Sequence, residues 1–225
     1  LFYGEVKNSL NNETHLINKA GGKREAGGRR IVPAVDIFRT DKRYDLVYID
    51  PPWEQSRGGY KKCRPCSSGK ALDYPVMTLE EIKQFHGKVL PQITKEKHSI
   101  FMWVIDKYLV QAETFMEELG YTRHARIVWN KQRGMALAYT LRFTCEYLLW
   151  FYIKGNMLMP LPGTRGKYPN YLEESPQRHS QKPECAYEML EDMFSGMDKI
   201  ELFARKQRKG WDCWGNEVTA VADKV

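Results

Sequence analysis

Apolar residues along this chain alternate between two rhythms: short unbroken runs, and stretches that recur every three to four residues. The run Tyr44-Asp45-Leu46-Val47-Tyr48-Ile49 is β-branched and aromatic and predicts a central strand reaching Asp50, covered on both faces. Further strands are predicted at Ser99 to Val104, Arg126 to Asn130, Cys145 to Ile153 and Lys199 to Phe203, with Ile31 to Val35 as another leading into Asp36-Ile37-Phe38. Helical spacing falls between them. Thr78 with Glu81 forms a capping box opening a helix to about Phe85, and Tyr108 to Leu119 is amphipathic and stopped by Gly120. Lys182-Pro183 starts a helix running to about Phe194, with the proline in the first turn, where its missing N–H costs nothing. Strands alternating with helices predict an α/β fold with a mainly parallel, doubly wound sheet and an antiparallel edge. No internal repeat is visible.

The polar stretches divide the rest. Residues 1 to about 30 carry Gly21-Gly22-Lys23-Arg24 and Gly27-Gly28-Arg29-Arg30 without lasting periodicity, and read as a flexible basic arm ahead of one domain over 31–225. Residues 54 to 73 form a long loop with five basic side chains, Arg57, Lys61, Lys62, Arg64 and Lys70, and no acid between Gln55 and Leu72. A basic segment from Lys131 to Arg142 and a Gly/Pro-punctuated loop from Lys154 to Gln181 complete the connections. The net charge of +7 points to an acidic partner, and 42% hydrophobic content allows one full core in 225 residues. No stretch approaches 18 apolar residues and no signal-peptide pattern occurs, so neither a membrane nor secretion is expected. Five cysteines, an odd number in a chain too large to need staples, read as a reduced, intracellular and cytoplasmic protein, nuclear if the source is eukaryotic. Cys63-Arg64-Pro65-Cys66 is the only CxxC and lacks a second ligand pair, so no metal site is expected.

The candidate chemistry lies at Asp50-Pro51-Pro52-Trp53, directly after the first strand and therefore where open α/β sheets hold their ligands. Two prolines forbid the strand to continue and present the carbonyls of Asp50 and Pro51 on a rigid turn. Such a turn suits an exocyclic aromatic amine, whose delocalised lone pair becomes nucleophilic when acceptors hold its hydrogens. The carboxylate of Asp50 and a proline carbonyl are two such acceptors, and Trp53 offers a face on which a flipped-out base could stack. Pro52 completes the corner, and these four residues form the expected catalytic set.

Together with His179-Ser180-Gln181-Lys182-Pro183, and with Lys199-Ile200-Glu201-Leu202-Phe203-Ala204-Arg205 followed by Gly215-Asn216, this motif resembles the MTA-type adenine-N6 methyltransferases, the relatives of the catalytic subunit of the mRNA adenosine-N6 methyltransferase. The likeness covers about Val35 to Val218, and its motifs look closest to bacterial or phage members. It implies a Rossmann-like S-adenosylmethionine-dependent methyltransferase fold in permuted motif order, with S-adenosylmethionine as cofactor. By the same resemblance Lys182 would pair with the methionyl carboxylate, aided by the start of its own helix. Asp50 would meet the methionyl ammonium and the target amine together, and Asp36 and Ile37 would read the cofactor's adenine edge. His179, Ser180, Glu201, Arg205, Gln207, Asn216 and Glu217 are the remaining expected cofactor positions. Gln207-Arg208 departs from the eukaryotic His-Asn pair, and Trp211 and Trp214 read as packing residues. On the substrate side the expected residues are Trp53, Arg57, Lys61, Lys62, Tyr74, Asn130 and Lys131.

Transfer to adenine in nucleic acid is the expected function, with DNA favoured over RNA, because the compact chain shows no zinc finger or other RNA-binding appendage. The resemblance also allows a homodimer or a heterodimer with a related chain. Three other readings compete: a non-catalytic nucleic-acid-binding subunit, a methyltransferase of protein glutamine, and a pure nucleic-acid-binding module.

Overall fold

The computed structural model describes residues 35–54, 76–132, 141, 143–176, 181–215 and 218. Strand β1 (Tyr44–Ile49) lies between two parallel neighbours, β2 (Thr94–Val104) and β6 (Lys199–Leu202). Beyond β6 lies β7 (Asp212–Trp214), again parallel. On the other flank β4 (Cys145–Tyr152) pairs antiparallel with both β2 and β3 (Thr122–Asn130), and β5 (Tyr171–Glu173) adds a parallel edge to β3. The seven strands run β5-β3-β4-β2-β1-β6-β7. The sheet is mostly parallel, as expected, but its reversed strand, β4, lies inside it, because β3 pairs along its outer side.

The alternation of side chains along β1 explains the layers. Val47 and Ile49 point to one face, with Ile100 and Met102 of β2, and are covered by helices α1 (Leu79–Ile93) and α2 (Leu109–Glu118) through Ile82, Phe85, Ala112 and Phe115. Leu46 and Tyr48 point to the opposite face, with Phe101 and Trp103, and are covered by α3 (Glu184–Met193) through Ala186, Tyr187 and Leu190. Each large side chain fully withdrawn from water contributes about 1.5–3 kcal/mol, so both faces of β1 anchor the fold.

Several boundaries differ from the expectation. α1 continues past Phe85 to Ile93, because Pro91 falls in the last turn and the buried Val89, Leu90 and Ile93 outweigh its missing donor. Gly87 serves helix packing: an added Cβ would lie 3.1 Å from Leu119 Cδ2. β2 begins at Thr94, directly after α1, and β3 at Thr122, where exposed Arg123 and His124 break the apolar run. β5 and β7 span three residues each, too short for alternation to reveal. Pro183 is the residue before the helix, with φ −67° and ψ 142°, and lies outside the first turn. Val35 lies in a bend, and the rest of the Ile31 to Val35 strand falls outside the described residues. Among the described residues no helix is long and apolar enough to cross a membrane.

Gly215 follows β7 where the backbone of Ala204 crosses closely, and Ala204 N–H donates to the Trp214 carbonyl at 2.9 Å. An added Cβ would overlap the Ala204 carbonyl oxygen and come within 2.6 Å of its nitrogen. Gly215→Ala is therefore expected to destabilise the fold by about 1–3 kcal/mol, read as a lowered denaturant midpoint. An unchanged midpoint would disprove the close crossing.

Candidate active site

All strands but β4 run the same way, so the ends of β1, β2, β3, β6 and β7 and the start of β4 share one edge of the sheet. Asp50, Lys131, Glu146, Arg205 and the approach to α3 at Lys182 come together there. The proline corner is held by its own backbone: Trp53 N–H donates to the Pro51 carbonyl at 2.8 Å and Met77 N–H to the Pro52 carbonyl at 2.9 Å. The Pro51 carbonyl thus retains one lone pair for another donor.

Lys182 is the hub of the site. Its ammonium lies 3.0 Å from Asp50 Oδ1 and 2.8 Å from Glu146 Oε2, and 5.2 Å above the Trp103 ring. Glu146 also pairs with Lys131, which sits 5.3 Å above Trp129. Burial alone would lower the Lys182 pKa, but Asp50 and Glu146 outweigh it and raise the value above the ordinary lysine range. Burial likewise opposes ionisation of Glu146, yet Lys182 and Lys131 hold it down at about 2. Asp50 is not its equal. Burial raises its carboxyl, Lys182 opposes the rise, and the neighbouring Glu146 carboxylate adds to it. A buried carboxylate beside a buried ammonium can hold an amino-acid end, with ammonium on Asp50 and carboxylate on Lys182, so the donor set fits the zwitterion of S-adenosylmethionine. The start of α3 does not add to it: Glu184 and Cys185 N–H both donate to the Glu174 carboxylate at 2.9 Å. The anion expected at this helix start is supplied by the chain itself.

Beneath Asp50 lies a further buried carboxyl. Glu201 of β6 accepts a hydrogen bond from Tyr187 OH at 3.0 Å, and burial raises its pKa to about 7, with the Asp50 charge adding to the rise. Arg205 carries positive charge that steadies the Asp50 carboxylate. Gln207 is exposed, whereas Arg208 turns away to α3, its guanidinium 4.0 Å from the Tyr187 ring centre and paired with Glu184 and Glu191. Trp211 and Trp214 are buried, as packing residues should be. The Asp36 carboxylate accepts from Phe38 N–H at 3.1 Å in an exposed turn, Ile37 is buried, and Phe38 meets Trp214 edge-on at 5.9 Å. That contact sets Asp36 beside the carboxyl end of β7.

The substrate side needs one correction. Trp53 does not offer an open face: it is 4% exposed, stacked on Tyr108 at 5.1 Å, and its indole N–H donates to the Trp103 carbonyl at 2.9 Å. Asn130 donates to Tyr171 OH at 2.9 Å and accepts from Gln132 N–H at 3.0 Å, so it organises the β3 and β5 ends. Lys131 is buried against Glu146. A cleft of about 450 Å³ opens beside them, lined by Ile105, Asp106, Lys107, Lys131, Phe143, Cys145 and Glu146. Glu146 was missed in the sequence because a lone acid opening an apolar strand carries no signal until Lys131 and Lys182 are placed around it. Arg57, Lys61, Lys62, Tyr74, His179, Ser180, Asn216, Glu217 and the Cys63/Cys66 loop lie outside the described residues.

A mostly parallel sheet with helices on both faces and a charged cluster at its carboxyl edge is the arrangement of a Rossmann-like fold, and the comparison with known families makes it a methyltransferase. The MT-A70 family model matches residues 44–217, and the chain belongs to that family. It is 31% identical over 212 residues to the type II methyltransferase M.MunI of Mycoplasma sp, covering 87% of this chain and 88% of that protein. It is 25% identical to the human N(6)-adenosine-methyltransferase catalytic subunit METTL3, over 80% of this chain and 29% of the human protein. It is 23% identical to the N6-methyladenosine RNA methyltransferase MTA1 of Pyricularia oryzae, over 81% of this chain and 49% of that one. The chain thus spans most of the bacterial relative and half or less of these eukaryotic ones.

Two outcomes follow from this geometry. Because the Glu201 value is raised from 4.5, the folded state binds more protons than the unfolded chain between pH 4.5 and about 7. The stabilisation is fully present below that window and is lost as pH rises through it. Glu201→Gln should therefore flatten the pH dependence of stability and raise stability at pH 8 by about 1–3 kcal/mol in denaturant melts; an unchanged pH profile would count against the assignment. Trp53→Ala should destabilise the fold by about 3–5 kcal/mol, with Trp53→Phe much milder. Melts of Trp53→Ala that overlay those of the parent would show the indole to be free instead.

Proposed function

We propose that this chain transfers a methyl group from S-adenosylmethionine to the N6 amine of adenine in nucleic acid, with DNA as the favoured substrate. The observation that carries the reading is the buried Asp50–Lys182 pair at 3.0 Å, set on a corner with an acceptor carbonyl to spare. Bound S-adenosylmethionine supplies an electrophilic methyl group on a cationic sulfur. Lys182 would hold its carboxylate, and Asp50 would hold its ammonium while accepting one hydrogen of the target amine. The second lone pair of Pro51 can accept the other. With both hydrogens held, the nitrogen lone pair would be free to form the N–C bond as the methyl–sulfur bond breaks and the sulfur leaves as a neutral thioether, and the chain's contribution is chiefly alignment and acceptors set where positive charge develops. Asp50 need not be a strong base, because the methylated nitrogen sheds its proton readily to the carboxylate or to water as the ring reclaims the lone pair.

The similarity to a type II methyltransferase over most of both chains supports DNA. RNA is the second reading, supported by the names of the eukaryotic relatives. The free thiols of Cys145, Cys185 and Cys213 suit a reducing, cytoplasmic setting, and a second related chain remains a candidate partner.

Incubation of the chain with S-adenosylmethionine and either DNA or RNA, followed by nucleoside mass spectrometry, should show N6-methyladenine, chiefly in DNA. Asp50→Ala should lower transfer at least about a hundredfold with the melting profile kept. Absence of the product from both polymers, or full activity of that variant, would sink the reading.

A further inference from the structure

The burial of Trp53 leaves the target base without the aromatic partner expected of that residue, and another ring lines the cleft beside the ion pairs. Phe143 is 57% exposed and lines the cleft of about 450 Å³, where it is the only aromatic side chain among the described lining residues. Its neighbours in the lining are the apolar Ile105 and Cys145 and the charged Asp106, Lys107, Lys131 and Glu146, so an exposed aromatic face stands among both apolar and charged groups. The remaining lining joins the cleft to the reacting end: Glu146 belongs both to its wall and to the ion pair with Lys182, which in turn holds Asp50. Asp106 offers an acceptor in the lining, and Lys107 offers positive charge at an exposed position suited to a phosphate.

We infer that Phe143 supplies the face on which the extruded adenine stacks, while Trp53 acts as a packing residue that stiffens the proline corner. The inference rests on the adenine-transfer reading above. An extruded base loses its stacking on both sides, and an aromatic ring restores roughly 1–3 kcal/mol of it. The ring must be solvent-accessible before binding and stand in a cleft that joins the group holding the amine's acceptor. Phe143 meets the first condition directly, and it shares a cleft wall with Glu146, whose partner Lys182 also holds Asp50. Trp53 fails the first, since its one stacking partner and its N–H are both taken inside the chain.

The test uses the whole chain and tritiated S-adenosylmethionine with plasmid DNA free of methyladenine, and with unmodified RNA in parallel. Phe143→Ala should lower kcat/KM for the polymer by about 5–150-fold, mostly through KM. Cofactor binding, measured by equilibrium dialysis of the labelled compound, should stay within about twofold. Phe143→Trp and Phe143→Tyr should recover most of the loss, whereas Phe143→Leu, which keeps bulk without a π face, should not. Parent-like kinetics for Phe143→Ala, or equal rescue by Leu and Trp, would overturn the stacking role and leave adenine transfer standing. If the parent chain methylates neither polymer, both readings fall together.

Discussion

An ammonium group removed from water at the edge of a sheet must be neutralised where it sits, and Lys182 is neutralised from two directions. Asp50 arrives from the end of β1 and Glu146 from the start of β4, with Lys131 balancing the second carboxylate. Burying such charges costs several kcal/mol each, recovered only when partners and hydrogen bonds are well placed, so the cluster is a demanding element of the fold. It ties β1, β3, β4 and the entry to α3 into one rigid patch. Removing Lys182 would leave Asp50 and Glu146 short of a buried cation, whereas losing Asp50 leaves Lys182 with Glu146, so the local stability of the patch rests most on the lysine.

The rest of the architecture can be understood as support for that patch. Parallel neighbours on both sides keep β1 straight and dry, and the proline corner then ends it where Asp50 meets Lys182. Trp53 and Tyr108 stack beneath the corner, and Tyr108 OH donates to the Glu54 carbonyl at 2.7 Å, so the turn is fastened from two sides. Glu174 occupies the first free N–H groups of α3 and fixes the helix that carries Lys182 in. A second tether, Arg208 on Tyr187, Glu184 and Glu191, holds the segment after β6 against the same helix. Glu201 sits beneath with a pKa near 7, its charge made costly by burial and by Asp50. The site therefore keeps its carboxylates unequal, with Glu146 firmly ionised and the deeper Glu201 reluctant.

Much of the fold was readable in the chain because the information was local. Short stretches rich in apolar residues marked β1, β4 and β6, the Thr78–Glu81 capping box marked the start of α1, and Gly120, with φ +88°, marked the stop of α2. Elements shorter than one full alternation, β5 and β7, gave no such signal. The reversed β4 was legible as a strand but not as an internal one, since strand order depends on which edges remain open after folding. The extension of α1 through Gly87 and Pro91 was masked by local propensity, which yields where tertiary burial of Val89, Leu90 and Ile93 is available.

The candidate site shows the same division. Asp50, its prolines and Lys182 are identifiable from sequence because a strand end, a chain-stiffening pair and a helix start are properties of consecutive residues. Glu146, the closed face of Trp53 and the open face of Phe143 depend on which distant side chains arrive beside them. Local covalent order dictated the chemical groups and the corner that carries them. Only the packed sheet decided which groups share a charge, which ring is sealed inside and which faces the cleft, because burial and pairing are relations between segments far apart in the chain.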